Sequence, residues 1–142
     1  MENSNHFNVI VIGAGISGIG AGYYLKKNCP NKSFCIIEGR ENIGGTWDLF
    51  KYPGIRSDSD MFTLGYAFKP WKEQKTIANG PSILSYLEET VEENNLREKI
   101  KFSHKVLSAN WNSAERNWEV KAVHHEQEIL LTANFLFMGT GY

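Results

Sequence analysis

Gly13, Gly15 and Gly18 stand in the spacing Gly-x-Gly-x-x-Gly, and an acid, Glu38, follows twenty residues after the last of them. Glycines so placed suit a pyrophosphate. Gly13 lets the chain turn sharply. Gly15 has no Cβ, so phosphate oxygens can come close to the backbone, and Gly18 allows a helix to lie tight on a strand. If Ile16 opens that helix, the unpaired N–H groups of its first turn and its dipole favour an anion beside Gly13, Ala14, Gly15, Ile16, Ser17 and Gly18. Glu38 is placed to accept hydrogen bonds from adenosine ribose hydroxyls. Its charge repels a phosphate on the 2′ oxygen, which disfavours NADP at this turn.

Three letters in a spacing are weak evidence; the elements around them carry the reading. The apolar run Phe7–Ile12 reads as a buried parallel strand, Ile16–Lys27 as a helix ended by Asn28-Cys29-Pro30-Asn31, and Phe34–Ile37 as a second strand closed by Glu38. The competing interpretation is a glycine-rich turn in an unrelated α/β protein. A second glycine turn, Glu41–Trp47, ends on a large aromatic. Tyr52–Asp60 contains Pro-Gly and then Arg, Ser and Asp side by side on a loop. Phe62, Leu64, Tyr66, Phe68 and Trp71 form an apolar group that either lines a pocket or packs.

A helix is predicted from Asn79-Gly80-Pro81-Ser82, with Asn79, Gly80 or Ser82 as its cap. Ile83, Leu87 and Val91 form its core stripe, and the Glu pairs 88/89 and 92/93 its solvated face. Ile100–Phe102 reads as a short third parallel strand. His104–Trp111, Trp118–Val123 and Glu128–Ala133 read as an antiparallel meander with a hairpin loop at 112–117, and Phe135–Met138 as a further apolar strand. The fold class is therefore α/β: a Rossmann-like domain with a parallel sheet and a three-stranded antiparallel β-meander, one domain over residues 1–142.

The 142 residues are 42% apolar, enough for a core, and the net charge of −1 gives no sign of a nucleic-acid partner. The two cysteines, Cys29 and Cys35, read as free thiols of a reducing, cytoplasmic compartment. The four histidines lack metal-ligand spacing, and His124-His125 falls in a predicted strand, where neighbours point to opposite faces. No stretch approaches the roughly 20 apolar residues of a membrane span. Oligomeric state is not legible.

Four segments together resemble the N-terminal part of flavin-containing monooxygenases and their Baeyer–Villiger relatives. They are GAGISG at 13–18, Glu38 with Gly44-Gly45-Thr46-Trp47, YPGIRSDSD at 52–60, and MGTGY at 138–142. The resemblance implies FAD bound by one of two dinucleotide-binding domains, with NADPH as co-substrate at the other. It further implies O2 and a small organic substrate, a heteroatom compound or ketone, oxygenated through a C4a-peroxyflavin. By position it assigns the pyrophosphate to residues 13–18, the ribose to Glu38, and the flavin side to Gly45, Thr46 and Trp47. Asp58 would border the isoalloxazine and nicotinamide with Arg56 as its neighbour; Val106 would meet adenine through its backbone, and Thr140 and Gly141 the phosphates.

The chain departs from the family in having no second Gly-x-Gly-x-x-[Gly/Ser] turn and no Phe-x-Gly-x-x-x-His-x-x-x-Trp-Pro pattern. The expectation is an incomplete flavoprotein, the NADPH domain absent, without turnover on its own and with an exposed apolar face at Phe135–Met138. The alternatives are a non-catalytic dinucleotide-binding module and a piece of another FAD- or NAD-dependent oxidoreductase. At single residues, Asp58 or Asp60 equally suits the cap of a helix starting near Met61. Trp71, Trp111 and Trp118 suit packing, and Arg40 an exposed position near the adenosine.

Overall fold

The computed structural model describes residues 4–141. Strand β1 (His6–Ile12) leads through the first glycine turn into α1 (Ile16–Asn28) and β2 (Phe34–Ile37). Two single-turn helices follow, α2 (Thr46–Leu49) and α3 (Met61–Leu64). The long helix α4 (Gly80–Glu93) and a 3-10 turn at Arg97–Lys99 then lead to β3 (Ile100–Lys101), β4 (Lys105–Asn112), β5 (Asn117–His124) and β6 (Gln127–Met138).

The strands form one sheet in the order β3-β2-β1-β6-β5-β4. β1, β2, β3 and the end of β6 run parallel; β4, β5 and the start of β6 run antiparallel. The α/β expectation of a parallel sheet with an antiparallel meander is met. One part of it is corrected. Glu128–Ala133 and Phe135–Met138 are not two strands but a single strand of 12 residues. Thr132 and Ala133 are its pivot: they pair with Glu119 and Trp118 of β5 on one side and with His6 and Phe7 of β1 on the other. Asn134 is polar but does not break the strand, since it lies directly after that doubly paired stretch.

Alternation along β1 divides the core between the two faces of the sheet. Val11 packs with Ile19, Ile36, Ile83, Leu87, Val91 and Leu96 under α1 and α4. Ile10 and Ile12 pack with Cys35, Ile37, Val120, Leu131 and Ala133 on the other face. In α4 the stripe Ile83, Leu87 and Val91 is fully buried. Its cap is Asn79, whose side chain accepts from the Ser82 N–H at 2.8 Å. The Glu pairs are not merely solvated. Glu88 and Glu92 hold Arg97 at 2.7 and 2.6 Å, and Glu89 and Glu93 hold Lys69 at 3.2 and 3.0 Å.

Beyond Ala133, β6 has β1 on one side and no register with β5 on the other, so Phe135, Phe137 and Met138 stand 70%, 43% and 61% exposed. No described helix is long and apolar enough to cross a membrane.

Candidate functional site

The first glycine turn is built by contacts that a side chain would prevent. Gly13 has φ +101°, and a Cβ there would lie 2.3 Å from the carbonyl oxygen of Gly139. A Cβ on Gly18 would lie 1.7 Å from the Gly13 carbonyl oxygen. The turn is thus wedged between α1 and the end of β6, where Gly139 N donates to Ile12 O at 2.8 Å. Gly15 is the residue before α1, with no side-chain cap and no acid in the first turn. The amides that open α1 therefore lack an intrahelical acceptor, as at any helix start.

Glu38 is 9% exposed. Its Oε2 accepts from the Ala14 N–H at 2.8 Å, and its Oε1 from the Arg40 N–H at 3.3 Å. The second glycine turn docks directly on the first. Gly44 N donates to Ala14 O at 2.9 Å, and a Cβ on Gly45, whose φ is +53°, would come 3.1 Å from Gly15 Cα. Gly44 takes φ +115°, which lets the chain enter α2. Asp48 of α2 is buried, and its Oδ2 lies 2.8 Å from Arg40 Nη2.

These pieces enclose a cleft of about 360 Å3. Gly13, Gly15, Ile16, Ser17, Glu38, Gly45, Thr46, Trp47, Val106, Thr140 and Gly141 all line it. Ala14 and Gly18 are buried behind the turn and serve it through backbone contacts. Residues as far apart in the chain as Gly13, Trp47, Val106 and Gly141 thus meet at one opening.

Asp58 and Arg56 are not in this cleft. Arg56 borders a second cleft of about 680 Å3, formed by the 50–56 loop and the start of α4 and adjoining the first at Trp47 and Phe50. Asp58 is exposed and borders neither cleft. The helix cap at Met61 is Asp60, which accepts from the Thr63 N–H at 3.0 Å. Tyr66 and Phe68 stack with Tyr23 and Tyr86, and Trp71 is buried against Tyr86, so these three pack, whereas Phe62 of the same expected group is 70% exposed and lines neither cleft. Trp111 and Trp118 meet edge to face across the β4–β5 hairpin.

Arg40, expected to be exposed near the adenosine, lines the cleft but is half-buried, with its guanidinium paired to Asp48. Sequence reasoning missed further cleft residues. His104 and Lys105 line the cleft beside Glu38, since the His104 N–H donates to the Glu38 carbonyl at 2.9 Å. The expectation that His124 and His125 face apart is also corrected. β5 ends at His124, His125 turns with φ +47°, and the two rings lie 3.9 Å apart. His104 stacks on His124 at 4.0 Å. Burial, with the neighbouring His124, Lys101 and His125, holds the His104 imidazole below its ordinary pKa against the opposing pull of the Phe102 carbonyl.

A parallel sheet, a glycine turn entering an uncapped helix and an acid at the end of the next strand are the elements of a Rossmann-like fold. The family model for NAD(P)-binding Rossmann-like domains matches residues 11–73. More particularly, the chain is similar to flavin monooxygenases, as its motifs implied. It is 52% identical over 139 residues to FAD-containing monooxygenase EthA of Mycolicibacterium smegmatis, covering 98% of this chain and 28% of the relative. It is 52% identical over 136 residues to the probable FAD-binding monooxygenase AlmA of an Acinetobacter species, covering 95% and 27%. The crystal structure of OTEMO in complex with FAD and NADP superposes with a TM-score of 0.84 at 31% identity, over 95% of this chain and 26% of that one. The chain therefore spans little more than a quarter of the length of these relatives.

Proposed function

We propose that residues 1–142 form the FAD-binding domain of an NADPH-dependent flavin monooxygenase that oxygenates a small organic substrate, a heteroatom compound or a ketone. The observation that carries this is the meeting of the uncapped start of α1, the Glu38 carboxylate and the Gly45-Thr46-Trp47 segment around one cleft. Its volume falls in the range of roughly 300–1,000 Å3 usual for small-molecule sites.

The residues fit the group. The amides of Gly15, Ile16 and Ser17 would offer donors to the diphosphate, with Thr140 and Gly141 beside them. Glu38 uses one hydrogen bond on each carboxylate oxygen and keeps lone pairs for the ribose hydroxyls. Val106 would meet adenine through its backbone, and Trp47 with Thr46 would border the flavin half. Arg56, on the adjoining cleft, would lie toward the isoalloxazine end and the nicotinamide; for Asp58, which borders neither cleft, that role rests on the resemblance alone.

When bound, the flavin supplies the redox chemistry, taking electrons from NADPH and passing oxygen from O2 to the substrate. This chain's residues hold and orient it and exclude water from its adenosine half. Cys29 and Cys35, both free, go with a cytoplasmic protein. FAD uptake tests the reading: titration of the purified chain with FAD is expected to quench flavin fluorescence saturably. A colourless protein that also fails to take up added FAD overturns it.

A non-catalytic dinucleotide-binding module is the second reading. It is favoured by the cleft's described lining coming from this chain alone. NADPH-dependent oxygen consumption by this chain alone excludes it.

A further inference from the structure

The ion pair between Arg40 and Asp48 has no part in the reading above. Arg40 lines the cleft two residues after Glu38, and its backbone N–H donates to Glu38 Oε1 at 3.3 Å. Its Nη2 lies 2.8 Å from Asp48 Oδ2, and the Asp48 side chain is 5% exposed. A carboxylate so deep is retained only with a partner. Arg40 is that partner, with Lys51 Nζ further out at 3.7 Å from Oδ1.

Beside the ribose acid of such a fold, an arginine is the group that accommodates a 2′-phosphate. Its planar fork matches phosphate oxygens closely. Here Nη2 is held in the ion pair with Asp48, and Nη1 is buried with no hydrogen-bond partner among the described residues. The pair brings no net charge to the cleft, and the Glu38 charge still repels a second phosphate.

We infer that Asp48 is a specificity-determining residue: by holding Arg40 in an ion pair it denies the guanidinium to a phosphate on the adenosine ribose, so that the cleft takes FAD and refuses NADP. This rests on the proposed reading of the cleft as the FAD site. Such a device has a use wherever the two dinucleotides must be told apart within one protein, as in the relative solved with both FAD and NADP. Lys105 also lines the cleft, so its contribution has to be separated from that of Arg40.

The 142-residue chain is titrated by calorimetry with FAD, with ADP-ribose, and with 2′-phospho-ADP-ribose, which differs from ADP-ribose only in the phosphate at issue. The wild-type chain is expected to bind ADP-ribose more tightly than its 2′-phospho form. Asp48→Asn keeps the shape of the side chain and removes its charge, and is expected to narrow that preference on the order of tenfold. Adding Arg40→Met to Asp48→Asn restores the wild-type preference, because the gain comes from Arg40 and not from Lys105. Should Asp48→Asn fail to fold, Asp48→Ser is expected to give the same narrowing.

An unmoved preference in a folded Asp48 variant overturns the inference. So does a gain that survives Arg40→Met, or a wild-type chain that binds both ligands equally. FAD uptake with an unmoved preference refutes this inference alone. A chain that takes up neither FAD nor ADP-ribose refutes the FAD reading, and the inference with it.

Discussion

Glu38 Oε2 accepts the Ala14 N–H at 2.8 Å, so the acid that closes β2 is tied to the turn that closes β1. The carboxylate thereby becomes part of the cleft wall, oriented before any ligand arrives. Glu38→Gln leaves one side-chain oxygen, so an NH2 group must face either the Ala14 N–H or the ribose. FAD affinity is expected to fall by about tenfold to a hundredfold, the value of one charge-assisted hydrogen bond of roughly 1.5–3 kcal/mol. Fluorescence titration with FAD checks it.

Gly18→Ala and Gly54→Ala separate space from backbone conformation. A Cβ at Gly18 meets the Gly13 carbonyl oxygen at 1.7 Å, whereas Gly54, with φ +84°, has nothing within 4 Å. Gly18→Ala must push α1 off β1 and is expected to destabilise by about 3 kcal/mol or more. Gly54→Ala bears only the left-handed backbone, about 1–2 kcal/mol. Urea unfolding midpoints order the two, and Gly18→Ala alone is expected to weaken FAD binding sharply.

Tyr86→Phe removes a bridge under the 61–71 loop. The Tyr86 hydroxyl donates to the Lys69 carbonyl at 2.6 Å and accepts from the Tyr66 N–H at 2.8 Å. Without it both backbone groups lose their partner, at a cost of about 1–3 kcal/mol. Thermal unfolding is expected to show the loss with FAD binding unchanged, since Tyr86 does not line the cleft.

His104 makes stability depend on pH. Its pKa in the folded chain is held below the ordinary 6.5, chiefly by burial. Between the folded value and 6.5 the unfolded chain binds a proton that the native one refuses, so stability falls as the pH drops through that window. His104→Gln is expected to flatten this part of the profile. Melting temperatures of both chains from pH 7.5 down to pH 5 measure it.

The two thiols should react at different rates. Burial pushes the Cys35 thiol up to about 12, whereas Cys29 is half-buried at the end of α1. At pH 8 a thiol reagent is expected to modify Cys29 and to reach Cys35 only on unfolding. Equal rates in the native chain would contradict the buried position of β2.

Sequence alone determined whatever is encoded by near neighbours. The strand–turn–helix of residues 6–28 was legible because an apolar run, three glycines and a proline-containing stop act within a few residues of one another. The stripe of α4 and the alternation of Trp118, Val120 and Ala122 were legible for the same reason, since periodicity is local. Only the tertiary structure decided how distant pieces share space. The pairing of Thr132 and Ala133 with both β5 and β1 joined two expected strands into one, because a ladder hydrogen bond depends on which strand lies alongside. The seating of Gly45 on Gly15, and the capture of Arg40 by a buried Asp48, likewise depend on a close approach between segments. Nothing in either segment by itself states such an approach, whereas residues 13–18 carry their turn within their own six positions.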